Sequence, residues 1–153
     1  MHNRVMRRVT TAIVALLLVG SMARAELPAA VKEALTSSKF VYISSTRKDG
    51  SFSKPAEIWF LYNKGAVYVG TLPTSWRAKR IKWKRSQAKI AVGKLDGPSF
   101  IATGAIVNDP DAQQAMLQAY AKKYPDGWST FEEKFRSGFK DGSRVLIRYA
   151  PKE

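Results

Sequence analysis

Residues 12–19 form an uninterrupted apolar run, placed behind Arg4, Arg7 and Arg8 and ahead of Ala23-Arg24-Ala25 and Glu26. That order is the three-part logic of a secretory signal: a positive start, an apolar stretch, and small residues where a signal peptidase must fit them. The stretch is about half of the ~20 apolar residues that crossing a bilayer requires, which argues for cleavage before Glu26 over a membrane anchor. No other segment of the sequence is long and apolar enough to span. Arg7-Arg8 also fits a twin-arginine signal, which exports an already folded protein. Thr10 and Thr11 follow where such signals carry apolar residues, and the pair reads equally as an ordinary positive start.

The expected mature chain, residues 26–153, is the length of one domain with one core. It must hold together without covalent help, because the sequence contains no cysteine. The only histidine is His2, within the expected signal. Histidine-centred triads, thiol nucleophiles, Cys/His zinc sites and haem ligation through His or thiolate are therefore excluded from residues 26–153. An enzyme built from them has to rely on carboxylates, lysine, tyrosine or a bound cofactor. Of 26 basic and 12 acidic residues, four basic and no acidic ones lie in residues 1–25, leaving a charge of +10. That balance favours anionic partners such as phosphorylated ligands, polyanions or membrane head groups.

The pattern along residues 26–153 is mainly β. A short helix at 26–38 carries Val31 and Leu35 four apart on one face. Strands are expected at 40–44, 56–62, 66–70, 88–92, 100–107 and 145–149, punctuated by Asp49-Gly50, Asn63-Lys64-Gly65 and Asp96-Gly97-Pro98 turns. The 56–62 run hardly alternates, which predicts burial on both faces. A basic helix is expected at 77–85, and another from Asp109-Pro110, a cap followed by first-turn proline, to about Tyr124. Pro125-Asp126-Gly127 should break it before a further helix at 128–139. Hairpin-linked strands with few crossovers predict an antiparallel sheet or barrel.

Six of the nine residues from 77 to 85 are basic. By spacing alone this is a solvated helix face, with Ala78 and Ile81 turned to the core. A second reading caps the helix with Thr74 or Ser75 and places a phosphate beside Arg77 and Arg80, one turn apart and capable of bidentate contacts. A third, nucleic-acid binding through the interleaved Trp76 and Trp83, conflicts with the export signal, so no nucleic-acid partner is expected. Trp59, Trp128 and Phe131 read as packing residues, and Glu132 and Glu133 as surface acids paired at helical spacing.

Residues 35–151 nevertheless resemble the pyridoxamine 5'-phosphate oxidase-like flavin and deazaflavin split barrels. The resemblance rests on Thr46-Arg47-Lys48-Asp49-Gly50, on Trp59-Phe60, on Thr71 followed by Ser75, Arg77, Arg80 and Ile81, on Thr103-Gly104-Ala105, and on Asp109-Pro110. It implies an α+β, six-stranded antiparallel split barrel with flanking helices that forms a homodimer and holds FMN or a deazaflavin at the subunit interface. It places the ring along Ile58, Trp59, Phe60 and Thr71, and the phosphate at Ser75, Arg77 and Arg80. Arg77 stands where the family usually has lysine, exchanging a point charge for a planar fork. Trp76 replaces a small residue, and Glu57 brings a carboxylate near the ring. The resemblance thus implies an exported flavin- or deazaflavin-dependent oxidoreductase, since a flavin supplies hydride chemistry that this composition lacks. The alternative is a non-catalytic exported barrel, without cofactor, that binds an anionic ligand or surface. In neither case is stable membrane insertion expected once the signal is removed.

Overall fold

The computed structural model describes residues 25–153; the expected signal segment falls on residues 1–24 and so lies outside the described residues, with only Ala25 at its edge. The elements, in order, are α1 (Ala29–Ser37), β1 (Val41–Ser45), β2 (Ala56–Ile58), β3 (Leu61–Asn63), β4 (Ala66–Thr71), α2 (Trp76–Lys82), β5 (Gln87–Val92), β6 (Ser99–Val107), α3 (Pro110–Lys123), α4 (Pro125–Asp141) and β7 (Val145–Pro151). The seven strands form one sheet in the order β2-β1-β5-β6-β7-β4-β3, every neighbouring pair antiparallel.

This order forces curvature. Flat, the outer strands of seven would stand ~29 Å apart at ~4.8 Å per strand. Yet β2 and β3 occupy opposite edges and are joined only by Trp59 and Phe60, a step of Ile58 to Leu61 that covers at most ~10 Å. The sheet must curl until its edges meet at those two residues. Seven strands replace the expected six because the single run at 56–62 changes partner midway, pairing first with β1 and then with β4.

The cause of the split lies elsewhere in the chain. Tyr120 Oη donates to the Trp59 carbonyl (2.7 Å), Phe60 N–H donates to Tyr124 Oη (3.0 Å), and Lys123 Nζ donates to the Phe60 carbonyl (3.1 Å). Three side chains at the end of α3 thus take up backbone groups that a continuous strand would have paired within the sheet. The run is also not buried on both faces as its composition predicts: Glu57 is exposed, Ile58 and Trp59 are half-buried, and only Phe60 is fully enclosed. The strand buried at every position but Gly70 is β4, with Val67 and Val69 facing into the barrel and Ala66 and Tyr68 outward under the helices.

Two apolar clusters result. Inside the barrel, Val41, Ile43, Val67, Val69, Ile90, Val92 and Ile147 pack with Phe60 and Tyr149, covered by Leu27, Val31 and Leu35 of the N-terminal segment and by Ala78 of α2. Outside it, α3 and α4 lay Met116, Leu117, Tyr120, Tyr124, Trp128 and Phe135 over β4 and β7. Asp109 caps α3 as expected, its carboxylate accepting from Ala112 N–H (3.1 Å). Pro125-Asp126-Gly127 does end α3, but it also forms the first turn of α4, which begins at Pro125 rather than at Trp128. Proline suits that position because its missing N–H has no partner to lose there.

Candidate functional site

Thr71 ends β4 and is buried; Leu72-Pro73-Thr74 then turns the chain into α2. Ser75 is the N-cap, its Oγ accepting from Ala78 N–H (3.3 Å). Ala78 is fully buried and Ile81 packs on the barrel cluster, so the helix seats itself by its apolar face as expected. The cations are not all in open solvent, however. Arg77 folds back to donate from Nη1 to Thr71 Oγ1 (3.0 Å), and Arg80 Nη1 donates to Ser45 Oγ on β1 (2.6 Å). Burial lowers the Arg77 pKa, with Tyr149 and Tyr120 nearby acting in the opposite direction. A guanidinium still stays charged at any pH of interest.

A cavity of about 480 Å³ opens between α2, β1 and the loop after β1. Its cations are Arg47, Lys54, Arg77 and Arg80, joined by the hydroxyls of Ser45, Ser53 and Ser75 and by the Trp76 ring; no carboxylate lines it. Among the described residues, none of the three ion pairs uses any of these four cations. Arg47 has Asp49 as an acidic neighbour outside the cavity. With no carboxylate in the lining itself the positive groups still repel one another, and an anion there would relieve that repulsion.

A second chamber, about 360 Å³, adjoins the first through Arg77, which lines both. Its walls are Ile58, Trp59, Tyr120, Phe131 and Phe135, with Glu57 at one side and Gly70 at the base. Trp59 is held flat on Tyr124, ring centroids 4.3 Å apart and 6° from parallel, with Phe131 and Tyr120 edge-on to it. Gly70 is required here: a Cβ would stand 2.6 Å from Phe135 Cε1 and 2.8 Å from Met116 Sδ. A third cavity, about 410 Å³ beside β7, mixes Glu26 and Glu153 with Lys32, Lys64 and Arg148, so its charges largely balance.

The residues singled out by sequence divide as follows. Ser75, Arg77 and Arg80 meet at the cationic chamber, and Ile58, Trp59 and Arg77 at the aromatic one. Thr71 lies beneath, held by Arg77, while Phe60 points into the barrel; neither lines a chamber. Sequence reasoning missed Ser45, at the end of β1, and Arg47, Ser53 and Lys54 of the segment that follows it, which line the cavity with α2. It also missed the aromatic wall from α3 and α4. The spacing of Phe131 and Phe135, one helical turn apart, was the available signal for that wall. Phe131 was read as a packing residue but is 39% exposed at the chamber edge. Glu132 does pair with Arg136 as expected (2.8 Å).

No family model matches the chain, and no curated protein matches it. Solved structures do. A candidate pyridoxamine 5'-phosphate oxidase of Listeria innocua matches with TM-score 0.58 at 12% identity, over 80% of this chain and 91% of that one. The heme storage protein HutZ of Vibrio cholerae matches with TM-score 0.56 at 14% identity, over 84% and 92%. An F420 reductase matches with TM-score 0.51 at 16% identity, over 83% and 97%. With its curled antiparallel sheet and flanking helices, the chain has the split-barrel fold of the pyridoxamine 5'-phosphate oxidase-like proteins.

Proposed function

We propose that the protein is an exported, homodimeric oxidoreductase that binds a phosphate-bearing flavin, FMN, or in its place a deazaflavin, in the paired chambers. The observation that carries this reading is a cation cluster with no carboxylate in its lining, continuous through Arg77 with an aromatic slot. The residues suit the group: a phosphate finds Arg47, Arg77, Arg80 and Ser75, and a flat ring system finds Trp59, Phe131 and Phe135. When bound, the flavin would supply hydride transfer that the side chains of residues 26–153 do not. The chain's own contribution would be to hold the phosphate by charge-assisted hydrogen bonds from Arg77 and Arg80 and to receive the ring among Trp59, Phe131 and Phe135, in a chamber that Glu57 also lines. The name of one neighbour, an F420 reductase, supports the deazaflavin variant, and the +10 charge suits the acidic tail of that coenzyme.

The heme storage neighbour points to a competing cofactor. Residues 25–153 contain no histidine or cysteine, so haem iron would have to take tyrosine, methionine or lysine as its ligand. That is the less economical fit to a chamber lined by arginines.

The test is titration of the purified protein with FMN, with a deazaflavin and with haem, read by absorption and fluorescence. Saturable flavin or deazaflavin binding is expected. Arg77→Ala and Arg80→Ala should each weaken it by about 1.5–3 kcal/mol, the usual loss of a hydrogen bond to a charged group, with the protein still folded but its melting temperature lowered by the loss of the bonds to Thr71 and Ser45. A protein that binds neither flavin nor deazaflavin, or whose affinity ignores both substitutions, would refute the cofactor reading and leave a non-catalytic barrel that binds other anions.

A further inference from the structure

The outward side of α2 meets the cationic chamber only at Trp76, which edges it; Leu72, Trp83, Lys79, Lys82 and Lys84 line neither chamber. Trp76 and Trp83 stand two helical turns apart on one face, with ring centroids 6.3 Å from each other. They are 63% and 51% exposed, and Leu72 beside them is 47% exposed. Large apolar side chains left in water at this density call for a partner. Lys79 lies 5.2 Å from the Trp76 ring centroid, and Lys82 and Lys84 extend the positive rim. From residue 58 to residue 95 the sequence holds nine cations and no acid. Among the described residues, no ion pair neutralises any cation of α2.

We propose that this face, Leu72, Trp76 and Trp83 rimmed by Lys79, Lys82 and Lys84, is a docking surface for an anionic phospholipid membrane. Tryptophan is amphipathic and settles at the level of lipid head groups, and lysines around it meet the negative surface while their stems cover apolar area. A second copy of the chain fits poorly, because packing this face on itself would bring two acid-free cation clusters together. A purely polar polyanion would satisfy the lysines but leave two tryptophans and a leucine without an apolar environment. Docking here is peripheral, and it does not depend on the cofactor reading.

The experiment is co-sedimentation of the purified protein with vesicles of phosphatidylcholine containing about one-third phosphatidylglycerol, against pure phosphatidylcholine, with tryptophan emission recorded in parallel. Binding to the anionic vesicles alone is expected, weakening as salt rises, with blue-shifted emission that brominated acyl chains quench. Lys79→Gln/Lys82→Gln/Lys84→Gln should reduce affinity about five-fold per charge removed, on the order of 100-fold in all. Trp83→Ala should weaken binding further and remove part of the quenched emission. An unchanged melting temperature for both variants separates lost docking from lost folding. Equal binding to the two vesicle types, emission unaltered by anionic vesicles, or full affinity in the triple variant would each overturn the proposal. So would displacement from vesicles by a single-stranded oligonucleotide at equal charge concentration, which would mark the face as a nucleic-acid surface.

Discussion

The interior of the barrel and the layer outside it are built from different side chains for different ends. The interior is mostly aliphatic, supplied by strands whose inward positions are set by the pleat, and its members are almost fully enclosed. The outer layer is aromatic, supplied by α3 and α4, and it ends at an open chamber where Phe131 and Trp59 meet solvent. Trp59 and Phe60 divide the two regions within one peptide unit: Phe60 belongs to the interior, Trp59 to the outer layer. The difference is one of closure: the barrel interior is sealed packing, while the outer layer, though it too has a buried core, leaves aromatic surface at the edge of a chamber.

Substituting the two neighbours is the strongest way to break that division. Phe60→Ala removes a fully buried ring and should cost about 3–5 kcal/mol in urea denaturation. Trp59→Ala should cost less, because the ring is half-exposed and only one of its faces is stacked. Flavin affinity should rank in the opposite order, with Trp59→Ala weakening it and the conservative Phe60→Leu leaving it near wild type. Were Phe60→Leu to weaken binding more than Trp59→Ala, the interior would be shaping the site and the division would fail.

Much of the barrel was legible because its signals are local. Asp49-Gly50 and Lys64-Gly65 turn where expected, with Gly50 at φ 86°, Lys64 at 49° and Gly65 at 75°, and Asp109-Pro110 opens α3. The break at Trp59-Phe60 was not legible, since hydrogen-bonding partners some 60 residues away in Tyr120, Lys123 and Tyr124 create it. The site follows the same rule. Ser75, Arg77 and Arg80 lie within six consecutive residues and could be read together. Arg47, Lys54, Phe131 and Phe135 reach the chambers only through tertiary folding, and no spacing in the sequence relates them to α2.

Two tyrosines sharpen the comparison at a smaller energy. In the outer layer, Tyr124 Oη donates to the Lys39 carbonyl (2.7 Å) and accepts from Phe60 N–H (3.0 Å). Tyr124→Phe leaves both backbone groups without a partner and should cost about 1–3 kcal/mol. In the interior, the buried Tyr149 hydroxyl has no hydrogen-bond partner. Tyr149→Phe should therefore be neutral or slightly stabilising, and the difference between the two denaturation midpoints is the measurement. Equal losses would mean that Tyr149 has a partner in solution.

The smallest expected effect is a pH dependence that also assigns charge to the outer layer. Burial pulls the Lys123 ammonium down to about 8 from its usual 10.5, even though the Phe60 carbonyl and ring beside it favour the charged form. A lysine whose folded pKa lies below its unfolded one binds fewer protons when folded, so stability should climb as pH rises from about 8 towards 10.5. The buried tyrosines set the opposite limit. Tyr124 and Tyr149 are pushed up to about 12 and Tyr120 is raised as well, chiefly by burial. Their contribution is intact below pH 10 and is lost as pH approaches the folded values. Melting temperature should thus rise modestly between about pH 8 and 10 and fall beyond. Lys123→Met should flatten the rise without moving the fall, because only the lysine titrates below the tyrosines. A rise that survives the substitution would show that the Phe60 carbonyl and ring hold Lys123 charged throughout that range, and would place the titrating group elsewhere.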